Sequence, residues 1–328
     1  MAEPTKEAGK KSKWMEFGLP LGIAVVLSAL GWYFFPPVMP HVALPAENLT
    51  HHPLLSLPDP IGDIYLTNTL VATLLIDLVL IALVFAVQKA TKSGDLIPKG
   101  ITGVFEALLE ALYNLTETTA GKWTKVIFPY FATFFLVVLV ANWMELIPGV
   151  DSIGWLHKVE EGTHGAVAKG IFLLKGEGEY GLVPWVRVAS TDLNFTIALA
   201  LVSVFMTQVI GVRALGLPYF GKFFNIKALF TTKPRWMGVI DFFVSILEAF
   251  SEIAKVVSFS FRLFGNIFAG SVMLFVLGYL VPILVQSLVL LLEAFVGIVQ
   301  ALVFGMLTLM FMSLATHSHG GEHDEAHA

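Results

Sequence analysis

The chain has 328 residues, of which 56% are hydrophobic and only 14% charged, whereas a soluble globular domain carries about 25% charged residues. Too little polar surface remains to coat a water-exposed particle, so a soluble enzyme is excluded and a polytopic membrane protein is indicated. A formal net charge of −5 with scattered basic residues argues against a nucleic-acid partner, and the lack of cysteine removes disulfides, thiolate catalysis, iron–sulfur clusters and Cys-based zinc sites.

An α-helical span needs about 20 mostly apolar residues. The first such run, Trp14 to Phe35, follows Lys6, Lys10, Lys11 and Lys13. It reads as an extra membrane anchor or as a cleaved signal, for Leu27–Gly31 ("LSALG") resembles a cleavage site; its 22 residues favour the anchor. Residues 1–60 are thus an anchor (or signal) with an outer linker, and 61–328 a membrane domain with a His-rich cytoplasmic tail.

Leu66 to Val87 is the second span. Between Ile101 and Leu112, apolar residues at 101, 104, 105, 108, 109 and 112 share one helical face opposite Glu106 and Glu110, which predicts a helix lying on the membrane surface. Val126 to Ile147 is the third span, closed by Pro148 and Gly149, and Asp192 to Ala214 the fourth. A polar outer loop, Val150 to Ser190, separates them. Two long tracts follow, Gly238 to Leu280 and Ile283 to Thr316, parted by Pro282. Thirty-four helical residues would cover roughly 50 Å against about 30 Å of hydrocarbon, so these tracts must tilt strongly or break. The expected fold is all-α, with about six transmembrane helices, the last two long and tilted, and one interfacial helix.

Lys and Arg set the orientation. Segments 1–14, 89–125 and 213–236 carry four, five and five of them, while 148–190 carries four and 37–62 none. This bias predicts both termini in the cytoplasm. Lys255 and Arg262 remain, inside the membrane, where ionisable groups cost about 2.5–3.5 kcal/mol each and need a reason. Glu248, Glu252, Lys255, Arg262 and Asn266 share one face of the fifth span; Gln286, Glu293 and Gln300 form a stripe on the sixth. Such seams glue bundles together. An arginine midway along an apolar tract says more, because it stays cationic and calls for a negative partner or a passing ion.

The stretch Lys255–Gly270, "KVVSFSFRLFGNIFAG", resembles the signature of subunit a of F-type ATP synthase, the membrane stator beside the rotating c-ring. "NWMELIPG" (Asn142–Gly149), "TDLNFTIALAL" (Thr191–Leu201) and "QALVFGMLTLMFMSLA" (Gln300–Ala315) resemble further blocks of that family in the same order. The resemblance implies that Arg262 is the essential arginine facing the rotor carboxylate, with Asn266 and Gln300 beside it. It assigns Glu248 to the cytoplasmic channel and Glu145 and Asp192 to acidic positions at outer helix ends, with Asn194 near them. Ser258, in the same signature, joins these as a proton-path candidate. Where some members carry Glu after the "FAG" segment and His on the last helix, this chain has Ser271 and Glu293. That exchange would keep one protonatable group in the outer pathway.

The implied activity is proton translocation through two offset half-channels, coupled to rotation, with ATP made elsewhere in the complex. The implied partners are the c-ring, peripheral-stalk b subunits, the rest of the synthase and the lipid of an energy-transducing bacterial plasma membrane. The chain is not catalytic on its own, and no cofactor is implied. A secondary transporter would show internal repeats; a membrane enzyme would show HExxH or a Ser–His pairing. Neither is evident.

Other signals are weaker. Gly176, Gly178 and Gly181 fit a GxGxxG spacing but sit in an acidic loop without the strand–helix context. His317, His319, His323 and His327 read as a solvated tail. Asp77, mid-span, reads as pairing with a neighbouring helix, the favoured reading, or as a functional carboxylate, and Lys255 as a partner of Glu252 or Glu248.

Overall fold

The computed structural model describes residues 46–50, 52–56, 58, 62–92, 100–147, 150, 153–158, 166–169, 172–175, 180–223, 235–280 and 284–317, with positions 18, 22, 23, 25, 26, 29 and 30 near the N-terminus. Those seven N-terminal positions are helical, and the rest of the expected first span lies outside the described residues.

Among the described residues, six long helices dominate: α1 (Asn68–Lys92), α2 (Ile101–Ala120), α3 (Thr124–Trp143), α4 (Leu193–Leu215), α5 (Arg235–Leu280) and α6 (Leu284–Ala315). Among the described residues, five helical runs are long and apolar enough to cross a membrane: Asn68–Lys89, Thr102–Leu146, Leu193–Leu215, Gly238–Gly278 and Val285–Ala315. The protein is therefore an all-α polytopic membrane protein, as its composition required.

Helix ends follow local chemistry. The carboxylate of Asp192 caps α4 by accepting the Asn194 backbone N–H at 2.9 Å. Gly216 (φ 73°) ends the same helix, and Gly121 (φ 52°) ends α2, in a backbone region that side chains disfavour. The turn at Gly121 folds α2 back along α3, bringing the Tyr113 and Phe128 rings to 5.2 Å although they are 15 residues apart in sequence. The run Thr102–Leu146 is thus two helices rather than one long rod. The amphipathic helix expected to end at Leu112 continues to Ala120, because the buried positions 112, 116 and 120 carry the same face two turns further.

Both long tracts stay unbroken, at 46 residues for α5 and 32 for α6. Of the two ways to fit them to a bilayer, an internal break is ruled out.

The loop between α3 and α4 differs from expectation. It holds a four-stranded antiparallel sheet of β3 (Gly154–Lys158), β4 (Ala166–Lys169), β5 (Phe172–Lys175) and β6 (Tyr180–Pro184), ordered β3-β6-β4-β5. Strands of four or five residues are too short for alternation to stand out in a polar segment. At Gly154 an added Cβ would collide with the Val183 carbonyl, so glycine is what lets β3 pair closely with β6. A two-stranded ladder, β1 (Leu55–Ser56) with β2 (Asp63–Ile64), precedes α1.

The chain divides into two compact units, one of Met1–Asn68, Glu145–Arg187 and Phe268–Val296, the other of Thr69–Met144, Val188–Ile267 and Gly297–Ala328. The second holds a core of Phe131, Phe134, Phe135, Val138, Leu263, Ile267, Phe304 and Leu309, among others. Phe304 meets Phe259 at 5.3 Å and Phe134 at 5.8 Å. Gly305 lets α6 press on α3, since a Cβ there would sit 2.8 Å from the Phe131 ring. Ser203 and Thr308 share a buried hydrogen bond of 2.8 Å between α4 and α6. In the first unit, Glu47 and Asn68 exchange side-chain and backbone hydrogen bonds that fix the entry to α1.

Candidate functional site

In the Thr69–Met144, Val188–Ile267 and Gly297–Ala328 unit, Arg262 lies on an exposed face of α5. Its Nη2 donates to Ser258 Oγ one turn earlier, at 3.4 Å. Among the described residues no carboxylate forms an ion pair with it. One turn further, Asn266 Nδ2 donates to Gln300 Oε1 at 2.8 Å. The two polar seams read from the sequence do meet here, tying α5 to α6 beside the arginine. Gln300 is 4% exposed, and among the described residues its Nε2 has no acceptor. Gly265, on the same face, has nothing within 4 Å of where a Cβ would be. The arginine is thus flanked by small or short side chains, which permits close approach of another helix.

The N-terminal half of α5 carries a second group. Lys255 Nζ donates to Glu252 Oε1 at 2.9 Å, the i, i+3 pairing anticipated, and lies 4.6 Å above the Phe311 ring. Glu248 is half-buried one turn before Glu252. Sequence reading missed a partner. Tyr219, in the short 3₁₀ segment after α4, is 4% exposed and donates to Gln208 Oε1 at 2.7 Å. Burial first, then the charges of Glu252 and Glu248, push its phenol well above the ordinary value. It therefore stays protonated at any physiological pH.

A third group surrounds the N-terminus of α4. Thr69 donates its hydroxyl to Asp192 Oδ2 at 2.7 Å, and Ser190 donates to Asn142 Oδ1 at 2.8 Å. Asn142 Nδ2 in turn donates to the Gly297 carbonyl at 3.3 Å. Thr69, Ser190, Asn142 and Asp192 are all buried. Asn194 contributes its backbone N–H, while its side chain is exposed. Asn142 and Ser190 stand inside or beside sequence blocks already singled out; Thr69 had no signal beyond its place at a helix start.

The Met1–Asn68, Glu145–Arg187 and Phe268–Val296 unit holds the remaining candidates. Glu293 is 5% exposed on α6 and Ser271 7% exposed on α5. The Glu293 carboxylate occupies the space that a Cβ on Gly270 would need. The absent side chain at 270 is what makes room for an acid between the two helices. Gln286 lies against Gly278 in the same way, 3.3 Å from where its Cβ would be. Glu145 is 5% exposed in this unit.

Some signals find no such setting. Asp77 is exposed on α1, and among the described residues nothing pairs with it. Gly181 belongs to β6, while Gly176 and Gly178 lie outside the described residues. His317 Nδ1 lies 3.0 Å from the Ser313 carbonyl, and the other tail histidines lie outside the described residues. Among the described residues no cluster of three or more His, Cys, Asp or Glu could hold a metal.

Long unbroken apolar helices whose facing seams carry Arg, Asn, Gln and buried acids define a membrane protein built around ionisable groups at depth. A family model described as "ATP synthase A chain" matches residues 69–313, and the chain belongs to that family. It is 28% identical over 259 residues to "ATP synthase subunit a" of Moorella thermoacetica, covering 79% of this chain and 95% of the relative. It is 30% identical over 281 residues to "ATP synthase subunit a, sodium ion specific" of Propionigenium modestum, covering 84% and 83%. To "ATP synthase subunit a" of Syntrophobacter fumaroxidans it is 26% identical over 260 residues, covering 79% and 88%. The chain is an integral multi-pass membrane subunit in the context of the ATP synthase complex, in the service of ion transport and ATP synthesis.

Proposed function

We propose that this chain is the channel-forming stator of a rotary ATP synthase, passing protons to and from a ring of c subunits through two offset half-channels. In this reading residues 1–60 anchor and link, 61–328 form the membrane domain, both termini face the cytoplasm of a bacterial plasma membrane, and peripheral-stalk b subunits hold the chain still. The observation that carries it is the Arg262 guanidinium, exposed on an apolar helix face and paired with no acid of the described residues. A cation in that setting is stable only if something outside the chain supplies the anion.

A rotor carboxylate is such an anion. At ~4 Å and an effective dielectric of ~20, its attraction to Arg262 is about 4 kcal/mol before desolvation. That favours the ionised carboxylate beside the arginine. A proton arriving from the outer side, past Glu293, Ser271 and Glu145 of one unit and Asp192 and Asn194 of the other, neutralises the acid so that it can turn into lipid. After rotation the proton leaves through the inner group at Glu248. Asn266, Gln300 and Ser258 hold the arginine's surroundings. As a fixed cation, the Arg262 guanidinium also denies protons a direct relay from one side to the other.

The test is Arg262→Ala in the assembled synthase. Coupled ATP synthesis should vanish, with passive proton leak as the accompanying sign, and near-normal synthesis overturns the reading. Arg262→Lys should not restore full activity, because an ammonium covered by the ring can lose its proton and lacks the planar fork. The coupling ion is set by the ring's acid. The sodium-specific name of the Propionigenium modestum relative makes sodium the second reading, and pumping in sodium-free buffer separates the two.

A further inference from the structure

Helix α1 carries a carboxylate to which nothing above gives a task. Asp77 is the tenth residue of the 22-residue run Asn68–Lys89. At 1.5 Å per residue it lies roughly 14 Å from one end of that run and roughly 18 Å from the other, near mid-depth of a bilayer. Within its unit α1 packs through Thr69, Ala72 and Ile76, all buried, and Asp77 is turned away from that face. It is exposed, in a stripe of Leu70, Leu74, Asp77, Ile81, Val84 and Gln88 whose members are all exposed. Steps of 4, 3, 4, 3 and 4 are the seam along which one membrane helix packs on another at a small crossing angle. Most faces of a membrane helix are apolar, so spacing alone selects none of them; an acid and an amide on one seam do. Among the described residues no side chain forms an ion pair or hydrogen bond with Asp77. The two cations read at membrane depth are engaged elsewhere, Lys255 with Glu252 and Arg262 with Ser258.

We propose that this stripe of α1 is the docking seam for a transmembrane helix of another polypeptide, one that brings a lysine or arginine to Asp77 at mid-depth. A lone carboxylate facing hydrocarbon is strongly disfavoured, and ionisable groups at that depth pair with one another. Lipid supplies no such partner, because its charged groups lie at the headgroups, roughly 15 Å away. A second copy of this chain does not serve either. Two α1 helices cross the membrane in the same direction, so a symmetric pair sets Asp77 against Asp77. A single polar residue at a seam position also fixes the register in which two helices meet, which an all-apolar α1 would leave open. The assignment is independent of the stator reading, since it uses neither Arg262 nor the proton path.

The chain contains no cysteine, so a cysteine introduced alone labels one site. Val84→Cys lies on the stripe and Leu78→Cys on an exposed face beside it. Each is coupled to a benzophenone and irradiated in native membranes. Val84→Cys should give one adduct, with a membrane polypeptide other than this chain, and the crosslinked helix should carry Lys or Arg at the depth of Asp77; Leu78→Cys should give little or none of it. Adding Asp77→Leu or Asp77→Asn should lower the Val84→Cys adduct about three- to twentyfold, the range of one interhelical polar contact in a membrane. Asp77→Leu makes α1 more apolar and Asp77→Asn keeps the shape of the side chain, so the helix still inserts in both. Exchanging the charges, with Asp77→Lys and the partner's cation replaced by Asp, should restore the adduct. Adducts with lipid alone, with residues 14–35 of the same chain or with a second copy overturn the proposal. So does a crosslinked helix with no cation at that depth, or an adduct undiminished in both Asp77 variants.

Discussion

Asn266 on α5 and Gln300 on α6 are joined by a hydrogen bond of 2.8 Å, one turn beyond Arg262. Gln300 is almost wholly buried, so this bond decides where its amide points. Asn266→Leu would leave Gln300 Oε1 buried without a donor, at a cost of about 1–3 kcal/mol. Proton pumping should drop by tenfold or more, and Gln300→Leu in the same background should recover part of the stability, because both partners are then apolar. Equal thermal stability of the Asn266→Leu and doubly substituted complexes would show that the bond contributes little.

Gly270 gives a sharper test of Glu293. A methyl group at 270 falls on the Glu293 carboxylate. Gly270→Ala should therefore displace the acid and slow proton entry about as much as Glu293→Gln does, although alanine is neither polar nor large. Assembly with the ring should survive Glu293→Gln, which keeps the shape. Unchanged pumping in Glu293→Gln would move the outer pathway to other residues.

Asp192 has two duties that can be separated. It caps α4 through Asn194 N and accepts the Thr69 hydroxyl at 2.7 Å. Asp192→Ala loses the cap, worth about 0.5–2 kcal/mol, and strands a buried hydroxyl. Asp192→Ser keeps a capping oxygen. The expected result is a lower unfolding temperature for the alanine variant only, with slower pumping in both. Full pumping by Asp192→Ser would reduce this carboxylate to a helix cap.

Tyr219 gives a pH-dependent prediction. Its phenol is raised above the unfolded value of about 10. Below that pH both folded and unfolded states keep the proton, so stability is unaffected. Above it the unfolded chain ionises first, and stability falls as pH rises. Alkaline unfolding of the purified complex should therefore be steeper for wild type than for Tyr219→Phe, and ultraviolet titration should show one phenolate more on unfolding in wild type. Coincident curves for the two proteins would contradict the burial of this hydroxyl.

Much of this protein was legible in the order of its residues. Apolar length placed α3, α4, α5 and α6 within a few residues of their observed ends, because membrane helices must satisfy their backbone hydrogen bonds internally and so announce themselves by composition alone. Periodicity put Asn266 and Gln300 on polar seams, and spacing offered Lys255 either Glu252 or Glu248, of which folding pairs it with Glu252. Tertiary structure decided what no single helix encodes. The fold-back at Gly121 depends on a positive φ, the sheet of the loop between α3 and α4 on pairing between short strands, and the seat of Glu293 on a missing side chain one helix away at Gly270. Thr69 and Tyr219 became visible only when folding set them against Asp192 and Gln208. A hydrogen bond across 123 residues or from a connecting turn leaves no period in the sequence; it exists only once packing has chosen which helices are neighbours.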